Sequence, residues 1–456
     1  MSAVQTQKRK GAGLPRSVLV VGLGRSGQAV AEVLLEAGAS VVAVEDHPRP
    51  ETRKLAEALG VELVEQPDAL TLRGLARRQG IVVVSPGVPV SHPAYSLSGV
   101  EIVGELELAS QLVSVPMVAV TGTNGKTTVT AMVTEMLNRS GIRTVAAGNI
   151  GFPLIKAAFS EAEAIVVEAS SFQLYLTRKF HPRVAGWLNL SPDHLDWHPS
   201  LRHYAASKAR IWQNMRQDDV AVGNKQSPIV ARELAKVSCR KVSFGRTSGD
   251  WRTEGEWLLA PDGSEVVSLG KLWRGFPADI ENSLAASALA TSAGASLEAV
   301  RFVLENFSGL PHRIQLVGSV DGVRYFDDSK ATTPDAMVAA VAAFDSVVLI
   351  AGGRNKKLSF EEAARLLAPR LRAVVCIGEA ADELCLAFGA AGVATEKAAS
   401  MAEAVELASR LARPGDTVLL SPGCTSFDWY ANYEERGDDF ARCVLELADR
   451  RGLSGV

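Results

Sequence analysis

The sequence predicts an α/β protein of about three domains, each built on a parallel sheet wound with helices on both faces. Three observations carry this expectation. At 456 residues the chain is too long for a single compact core. Short β-branched runs alternate with stretches of helical apolar spacing, the pattern of strand–helix–strand units. Those runs end in Gly-rich or Ser/Pro-containing turns, which is where parallel sheets hold their ligands.

The first segment opens on Ser17-Val-Leu-Val-Val21 and Gly22, followed by helical spacing through Val30, Val33 and Leu34. Ser40-Val-Val-Ala-Val44, Ile81-Val-Val-Val84 and Val100-Glu-Ile-Val103 read as further strands of the same sheet. The second segment starts near Pro116, with a strand over 117–120, a Gly-rich loop and a helix to about Arg139. Ala164-Ile-Val-Val-Glu168 and the run 184–190 read as buried strands, and 215–275 as several short strand-like pieces. The third segment begins near Pro311, with apolar runs Val347-Val-Leu-Ile350, Ala373-Val-Val-Cys-Ile377 and Thr417-Val-Leu-Leu420 read as another parallel sheet. The predicted boundaries are a flexible tail over 1–16 and domains over 17–110, 111–310 and 311–456.

Composition narrows the function classes. A chain 47% hydrophobic and 22% charged is ordinary for a soluble globular protein. A net charge of -3 gives no field that would draw it to nucleic acid or an anionic membrane. The Lys8-Arg9-Lys10 cluster reads as part of a polar leader rather than a nucleic-acid patch. No run of 18 apolar residues is present and the N-terminus lacks the apolar centre of a signal peptide, so a cytoplasmic location is expected. The cysteines are odd in number and never spaced C-x-x-C, which predicts neither a disulfide framework nor a structural zinc site.

The strongest local signal is Thr121-Gly-Thr-Asn-Gly-Lys-Thr-Thr128, between a strand and a helix. Backbone N–H groups of such a turn bind phosphate oxygens, and the helix behind it adds its positive end. Lys126 supplies a cation for the outer phosphates and the Thr127 hydroxyl is placed for Mg²⁺. A full P-loop would carry a further glycine where this chain has Val120, so the match is to a variant loop. This predicts a P-loop ATPase-like central domain.

Three further residues suggest chemistry, each with a plainer reading beside it. Glu168 ends a strand, where it could reach a metal on the phosphates or simply cap the next helix. His194, in the polar loop Ser191-Pro-Asp-His-Leu-Asp196, could be a ligand or a structural histidine. Lys208 shares a helix face with Tyr204, Ile211 and Trp212. A lysine on an apolar stripe either snorkels to the rim or has a function.

Gly22-Leu-Gly24-Arg-Ser-Gly27, with Glu45 and Asp46 near the end of the next strand, fits the dinucleotide fingerprint of a Rossmann-like domain. NAD and the pyrophosphate of a UDP-sugar both suit such a loop. The ATP-type loop downstream argues against a simple dehydrogenase, because hydride transfer has no use for ATP.

Together these residues resemble the Mur ligases over about 17–445, and within that family the branch that adds D-glutamate. Val120 and the loop after it resemble the family's ATP loop. Gly148-Asn-Ile-Gly151, Glu168-Ala-Ser-Ser-Phe-Gln173 and Asp193-His-Leu-Asp196 resemble further family motifs. So do Pro311-His-Arg313, Asp327-Asp-Ser-Lys-Ala-Thr332, Ser421-Pro-Gly-Cys-Thr-Ser-Phe-Asp428 and Asn432-Tyr-Glu-Glu-Arg-Gly437.

The resemblance implies a central ATP domain between two Rossmann-like domains, in a monomer. It assigns ATP to Gly122, Thr123, Asn124, Gly125, Lys126, Thr127, Thr128, Asn282, Arg313, Asp328 and Lys330. It assigns the UDP-N-acetylmuramoyl-L-alanine substrate to Gly24, Arg25, Ser26, Asp46, Ser85, Pro86, Gly87, Asn149 and Gln173, and D-glutamate to Lys356, Ser426, Phe427 and Tyr433. Lys126, Glu168, His194 and Lys208 become the catalytic set. Two Mg²⁺ ions are implied on Thr127, Glu168, His194 and a Lys208 carbamylated by carbon dioxide. Asp279-Ile-Glu-Asn282 departs from the family's usual run, and Arg354-Asn-Lys-Lys357 leaves open which lysine meets the amino acid. The implied reaction passes through an acyl phosphate and a tetrahedral intermediate, with a hinge near residue 310. The rival readings are a neighbouring ligase acting on another amino acid or on folate, a dehydrogenase, and a non-catalytic nucleotide sensor.

Overall fold

The computed structural model describes residues 13–195 and 197–452, so the Lys8-Arg9-Lys10 cluster and Asp196 lie outside the described residues. The chain divides into two compact units. Of the described residues, one holds 13–190, 197–272 and 280–307; the other holds 191–195, 273–279 and 308–452.

In the first unit, β1 (Ser17–Val21), β2 (Ser40–Glu45), β3 (Glu62–Glu65), β4 (Ile81–Val84) and β5 (Glu101–Val103) form a parallel sheet in the order β3-β2-β1-β4-β5. Alternation along β1 explains why it is central. Val18 and Val20 face one buried cluster while Leu19 and Val21 face another, so a continuous apolar run is needed to fill both sides.

A second parallel sheet follows, of β6 (Met117–Thr121), β7 (Thr144–Gly148), β8 (Ala164–Glu168), β9 (Val184–Trp187), β10 (Val220–Asn224) and β11 (Arg240–Phe244), in the order β11-β10-β9-β6-β8-β7. One continuous core joins it to the first sheet, from Val18 to Cys239. The strand expected over 184–190 ends at Trp187, because the chain turns there to carry Asn189 to the phosphate loop. Within 215–275 the short pieces resolve into β10, β11 and an antiparallel meander of β12 (Arg252–Glu254), β13 (Trp257–Leu259) and β14 (Glu265–Ser268).

The second unit holds β15 (Gln315–Val320), β16 (Val323–Asp327), β17 (Val347–Gly352), β18 (Leu371–Ile377), β19 (Ala394–Ala398) and β20 (Thr417–Leu420), in the order β15-β16-β20-β17-β18-β19. Val348 and Ile350 face one cluster and Val347 and Leu349 the other. The three runs read from the sequence are parallel neighbours, but the sheet is not parallel throughout. β15 and β16 form an antiparallel hairpin through Asp321 (φ 50°) and Gly322 (φ 76°). An Asp-Gly pair with both φ positive matches the right-handed twist of paired strands, and it was the unread signal for this edge.

Candidate active site

The register of three strands builds the centre of the first unit. Glu168 at the end of β8 pairs with Val120 of β6 on one side and Gly148 of β7 on the other. Its carboxylate therefore lies beside the phosphate loop that leaves β6 and the Asn149 turn that leaves β7. The Thr121 hydroxyl donates to the carbonyl of Ala169 at 2.8 Å, fastening the loop's root to the residue after Glu168.

Within the loop, the ammonium of Lys126 donates to the carbonyls of Gly122 (3.0 Å) and Thr123 (2.8 Å). Thr127 and Thr128 are buried in the first turn of the helix Lys126–Arg139. Gly125 caps that helix with φ 82°, and the amide oxygen of Asn282 lies where a Cβ would sit. Only glycine satisfies both conditions. Asn282 is thereby placed against the loop it was assigned to.

Asn189 escaped the sequence reading. Its Oδ1 accepts the N–H groups of Thr123 (3.0 Å) and Asn124 (2.9 Å), and its amide donates to the Asn124 carbonyl. The only sequence signal was a lone polar residue between Leu188 and Leu190.

Glu168 is buried, and its two oxygens differ. Oε1 accepts from the Asn149 amide at 2.8 Å, whereas Oε2 finds no hydrogen-bond partner among the described residues. An ionised oxygen in that state costs several kcal/mol unless a cation or donor meets it. The donor set thus suits a hard divalent cation that keeps most of its water, as Mg²⁺ does. Among the described residues no three His, Cys, Asp or Glu side chains gather as a metal cluster.

Lys208 does not snorkel. It is 1% exposed, donates to the Gly122 carbonyl at 2.7 Å and lies 4.6 Å over the Tyr204 ring. Tyr204, Ile211 and Trp212 are buried with it, as their shared face requires. Nearby, His198 is fully buried, with Nε2 2.9 Å from the Ser171 hydroxyl and Nδ1 2.8 Å from Nδ1 of His203.

The residues assigned to the UDP end share one cavity of about 640 Å³. Gly24, Arg25, Ser26, Asp46, Ser85, Pro86, Gly87, Asn149 and Gln173 all line it. Two of these side chains also hold the cavity's shape. Ser85 donates to the Gly22 carbonyl at 2.6 Å, and a Cβ on Gly27 would strike that same carbonyl and the Ser85 hydroxyl. Gln173 completes a capping box with Ser170, which occupies its carbonyl oxygen and leaves the amide N–H groups to offer a ligand. Arg25 also donates to the Gly151 carbonyl. Glu45, read with Asp46 in the glycine-loop fingerprint, lines the cavity too, as do His47 and His92, which were not singled out from sequence.

The second unit gathers a different set. Asp328 is buried, accepts from Ser421 (2.9 Å) and is pushed up to about 7 by burial, against the pull of Ser421 and Arg313. The Arg313 Nε is buried with no hydrogen-bond partner among the described residues. Lys330 lies 5.1 Å over the Tyr433 ring, and His312 meets that ring edge-on at 6.1 Å. Tyr433 therefore stands beside Lys330, a residue assigned to the nucleotide. The hydrogen bond to Asp327 (2.7 Å) raises the affinity of the His312 imidazole for a proton, against the smaller opposing effect of burial.

Lys356 and Lys357 part company. The Lys356 ammonium reaches Asp193 at 3.2 Å, and Asp193 also lies 3.3 Å from His194. Lys357 lines a separate cavity of about 840 Å³ with Leu358, Phe360 and Leu386. Ser426 is buried and its carbonyl accepts from Tyr430, while Phe427 is exposed. Arg436, quoted from sequence only within the motif 432–437 and given no role there, is 1% exposed and donates to Ser329, Gly352 and Cys424.

Comparison with known proteins decides the family. Residues 16–104 match the Mur ligase MurD-like N-terminal domain, 120–290 the Mur ligase middle domain and 312–424 the Mur ligase glutamate ligase domain. A UDP-N-acetylmuramoylalanine–D-glutamate ligase of Pelotomaculum thermopropionicum is 41% identical over 95% of this chain and 98% of its own length. The chain belongs to the Mur ligase family. A ligase of the same name from Frankia casuarinae is 42% identical over 95% of this chain and 94% of its own. Among solved structures, MurF of Acinetobacter baumannii superposes with a TM-score of 0.60 at 19% identity, covering 95% of this chain and 92% of that one. MurF ligase of Thermotoga maritima, solved in complex with ADP, gives 0.59 at 17% identity over 99% of this chain and 100% of that one. At such identities these two speak for the Mur ligase fold alone.

Proposed function

We propose that this Mur ligase joins D-glutamate to UDP-N-acetylmuramoyl-L-alanine at the expense of ATP, releasing ADP and phosphate in cytoplasmic peptidoglycan-precursor synthesis. The observation that carries the reading lies in the first unit, where Asn149 lines the UDP-sized cavity and holds the carboxylate of Glu168 beside the phosphate loop. The names of the relatives at 41% and 42% identity support the choice of substrates.

The chemistry follows from what a carboxylate lacks. Its leaving group would be oxide, so the acid is first phosphorylated; the amine then adds to the carbonyl, loses a proton and expels phosphate. Negative charge grows on oxygen in both steps. Lys126 and the loop N–H groups that Asn189 does not take would face that charge, and a contact of this kind is worth ~3 kcal/mol, on the order of a hundredfold in rate. Magnesium held by Thr127, Glu168, His194 and Lys208 would supply further positive charge when bound. Lys208 would serve as a carbamate, its nitrogen adding to carbon dioxide with loss of a proton. That reading makes sense of a lysine buried on the loop rather than extended to the rim.

Asn282, Arg313, Asp328 and Lys330 would serve ATP, and Lys356, Ser426, Phe427 and Tyr433 the amino acid. Domains over 17–110, 111–310 and 311–456, after a tail over 1–16, fit this division of labour in a monomer. The test measures phosphate release with UDP-N-acetylmuramoyl-L-alanine, ATP and D-glutamate, each omitted in turn and D-glutamate replaced by other amino acids. Release that persists without D-glutamate, or that follows another amino acid better, would defeat the proposal.

A further inference from the structure

Two neighbouring acids stand at the end of the second strand of the first sheet, Glu45 as its last residue and Asp46 just beyond it, and the structure gives them different tasks. Oε2 of Glu45 accepts the N–H of Leu23 at 3.1 Å, which commits that carboxylate to the glycine turn. Oδ2 of Asp46 instead lies 3.0 Å from Nε2 of His92. The other ring nitrogen of His92, Nδ1, accepts the N–H of Ala94 at 3.1 Å and caps the turn Pro93–Ser96. A nitrogen that accepts an N–H carries no proton, so the ring proton sits on Nε2 and points at Asp46. The His92 side chain is 10% exposed and that of Asp46 43%, and both line the 640 Å³ cavity.

We infer that His92 is a positioning residue for nucleoside recognition. It holds Asp46 in one orientation, from which the other carboxylate oxygen accepts a hydrogen bond from a neutral donor on the nucleoside. That donor is the ribose 2′-hydroxyl or the imide N–H of a pyrimidine. The inference rests on the proposed UDP-linked substrate and names the chemistry of its anchor. An unheld carboxylate at a strand end samples several rotamers, and binding must then freeze one of them. A buried ring clamped by the main chain removes that cost beforehand. Because Ala94 sets the tautomer, His92 can only donate, so Asp46 is kept an acceptor and the pocket disfavours an acceptor on the ligand at this point. An acid after the second strand of such a sheet is where ribose hydroxyls are commonly met.

The experiment titrates the full chain with UDP, 2′-deoxy-UDP and N3-methyl-UDP by calorimetry, in wild type, His92→Asn and His92→Gln. Asparagine keeps an acceptor for Ala94 but falls short of Asp46; glutamine carries a donor towards Asp46 and lacks the cap. His92→Asn should weaken UDP about tenfold and narrow its advantage over the analogue that lacks the donor, while His92→Gln recovers most of the loss. In turnover, the KM for the UDP-linked acid should rise in His92→Asn with kcat and the KM for ATP retained. A tighter grip on UDP than on 2′-deoxy-UDP names the ribose; one over N3-methyl-UDP names the base. Equal binding of all three by the wild type, or unchanged UDP binding in His92→Asn, overturns the inference. So does equal loss in both variants, which would leave His92 a turn cap alone. A wild type that does not bind UDP at all sinks the ligase proposal itself.

Discussion

The ammonium of Lys208 donates to the carbonyl oxygen of Gly122 at 2.7 Å, joining the helix Leu201–Ala209 to the second residue of the phosphate loop. A side chain that helical periodicity alone could equally send to solvent is thus held against the group that cradles phosphate.

Lys208→Ala should cost at least a hundredfold in phosphate release, and millimolar formate or acetate should restore part of it by standing in for the carbamate. Lys208→Met preserves the apolar stem, so an unchanged melting curve in that variant separates lost chemistry from lost folding. Normal turnover in either variant would remove Lys208 from the catalytic set.

Lys126 tests the loop itself. Lys126→Ala should abolish ATP turnover, with a loss of ~3 kcal/mol or more in transition-state stabilisation and little change in melting temperature. Wild-type rates of ADP formation in that variant would mean that the loop does not serve ATP.

Glu105 gives a pH signature. Its side chain is fully buried, Oε1 accepts from Ile155 at 2.7 Å, and burial pushes the carboxyl up to about 7 against the pull of the Ile155 and Leu154 N–H groups. The fold therefore binds this proton more tightly than the unfolded chain does. The stabilisation is complete below about pH 4.5 and fades as pH rises through about 7, by ~3 kcal/mol in all. Glu105→Gln keeps the acceptor and cannot ionise. Its melting temperature relative to wild type should climb between pH 5 and pH 8; a constant difference would refute the assignment.

Arg436 ties Ser329, Gly352 and Cys424 together through one guanidinium, with bonds of 2.7 Å to the Ser329 carbonyl and 3.2 Å to that of Cys424. Arg436→Met should lower stability by ~3 kcal/mol, read from the denaturant midpoint at constant slope. The KM values for ATP and D-glutamate should rise together, since Lys330 and Ser426 lie close in sequence to the bonded residues. Arg436→Lys should not rescue, because an ammonium cannot span the fork. Full recovery in the lysine variant would show that charge, and not geometry, holds these segments.

What could be read from the chain followed the range of the interactions involved. Strand, loop and helix around 117–139 are set by neighbours in sequence, so the phosphate loop and its lysine were legible, as was the glycine turn after β1. The Asp321-Gly322 hairpin was equally local and went unread. Asn189, His92, Glu105 and Arg436 are ordinary residues in ordinary contexts. Their roles arise from partners 12 to 107 positions away or from the backbone of another element.

The amino-acid sequence by itself determined the α/β class, the sites of the two glycine loops and the residue types available for phosphate chemistry, because propensity, periodicity and turn stereochemistry act over a few residues. Only the tertiary structure decided that Lys208 is buried on Gly122, that one oxygen of Glu168 finds no partner among the described residues, and that Glu45 is committed to the glycine turn while Asp46 is held by His92. Those outcomes depend on strand register and on which buried polar atoms find partners, and both are settled when distant segments pack.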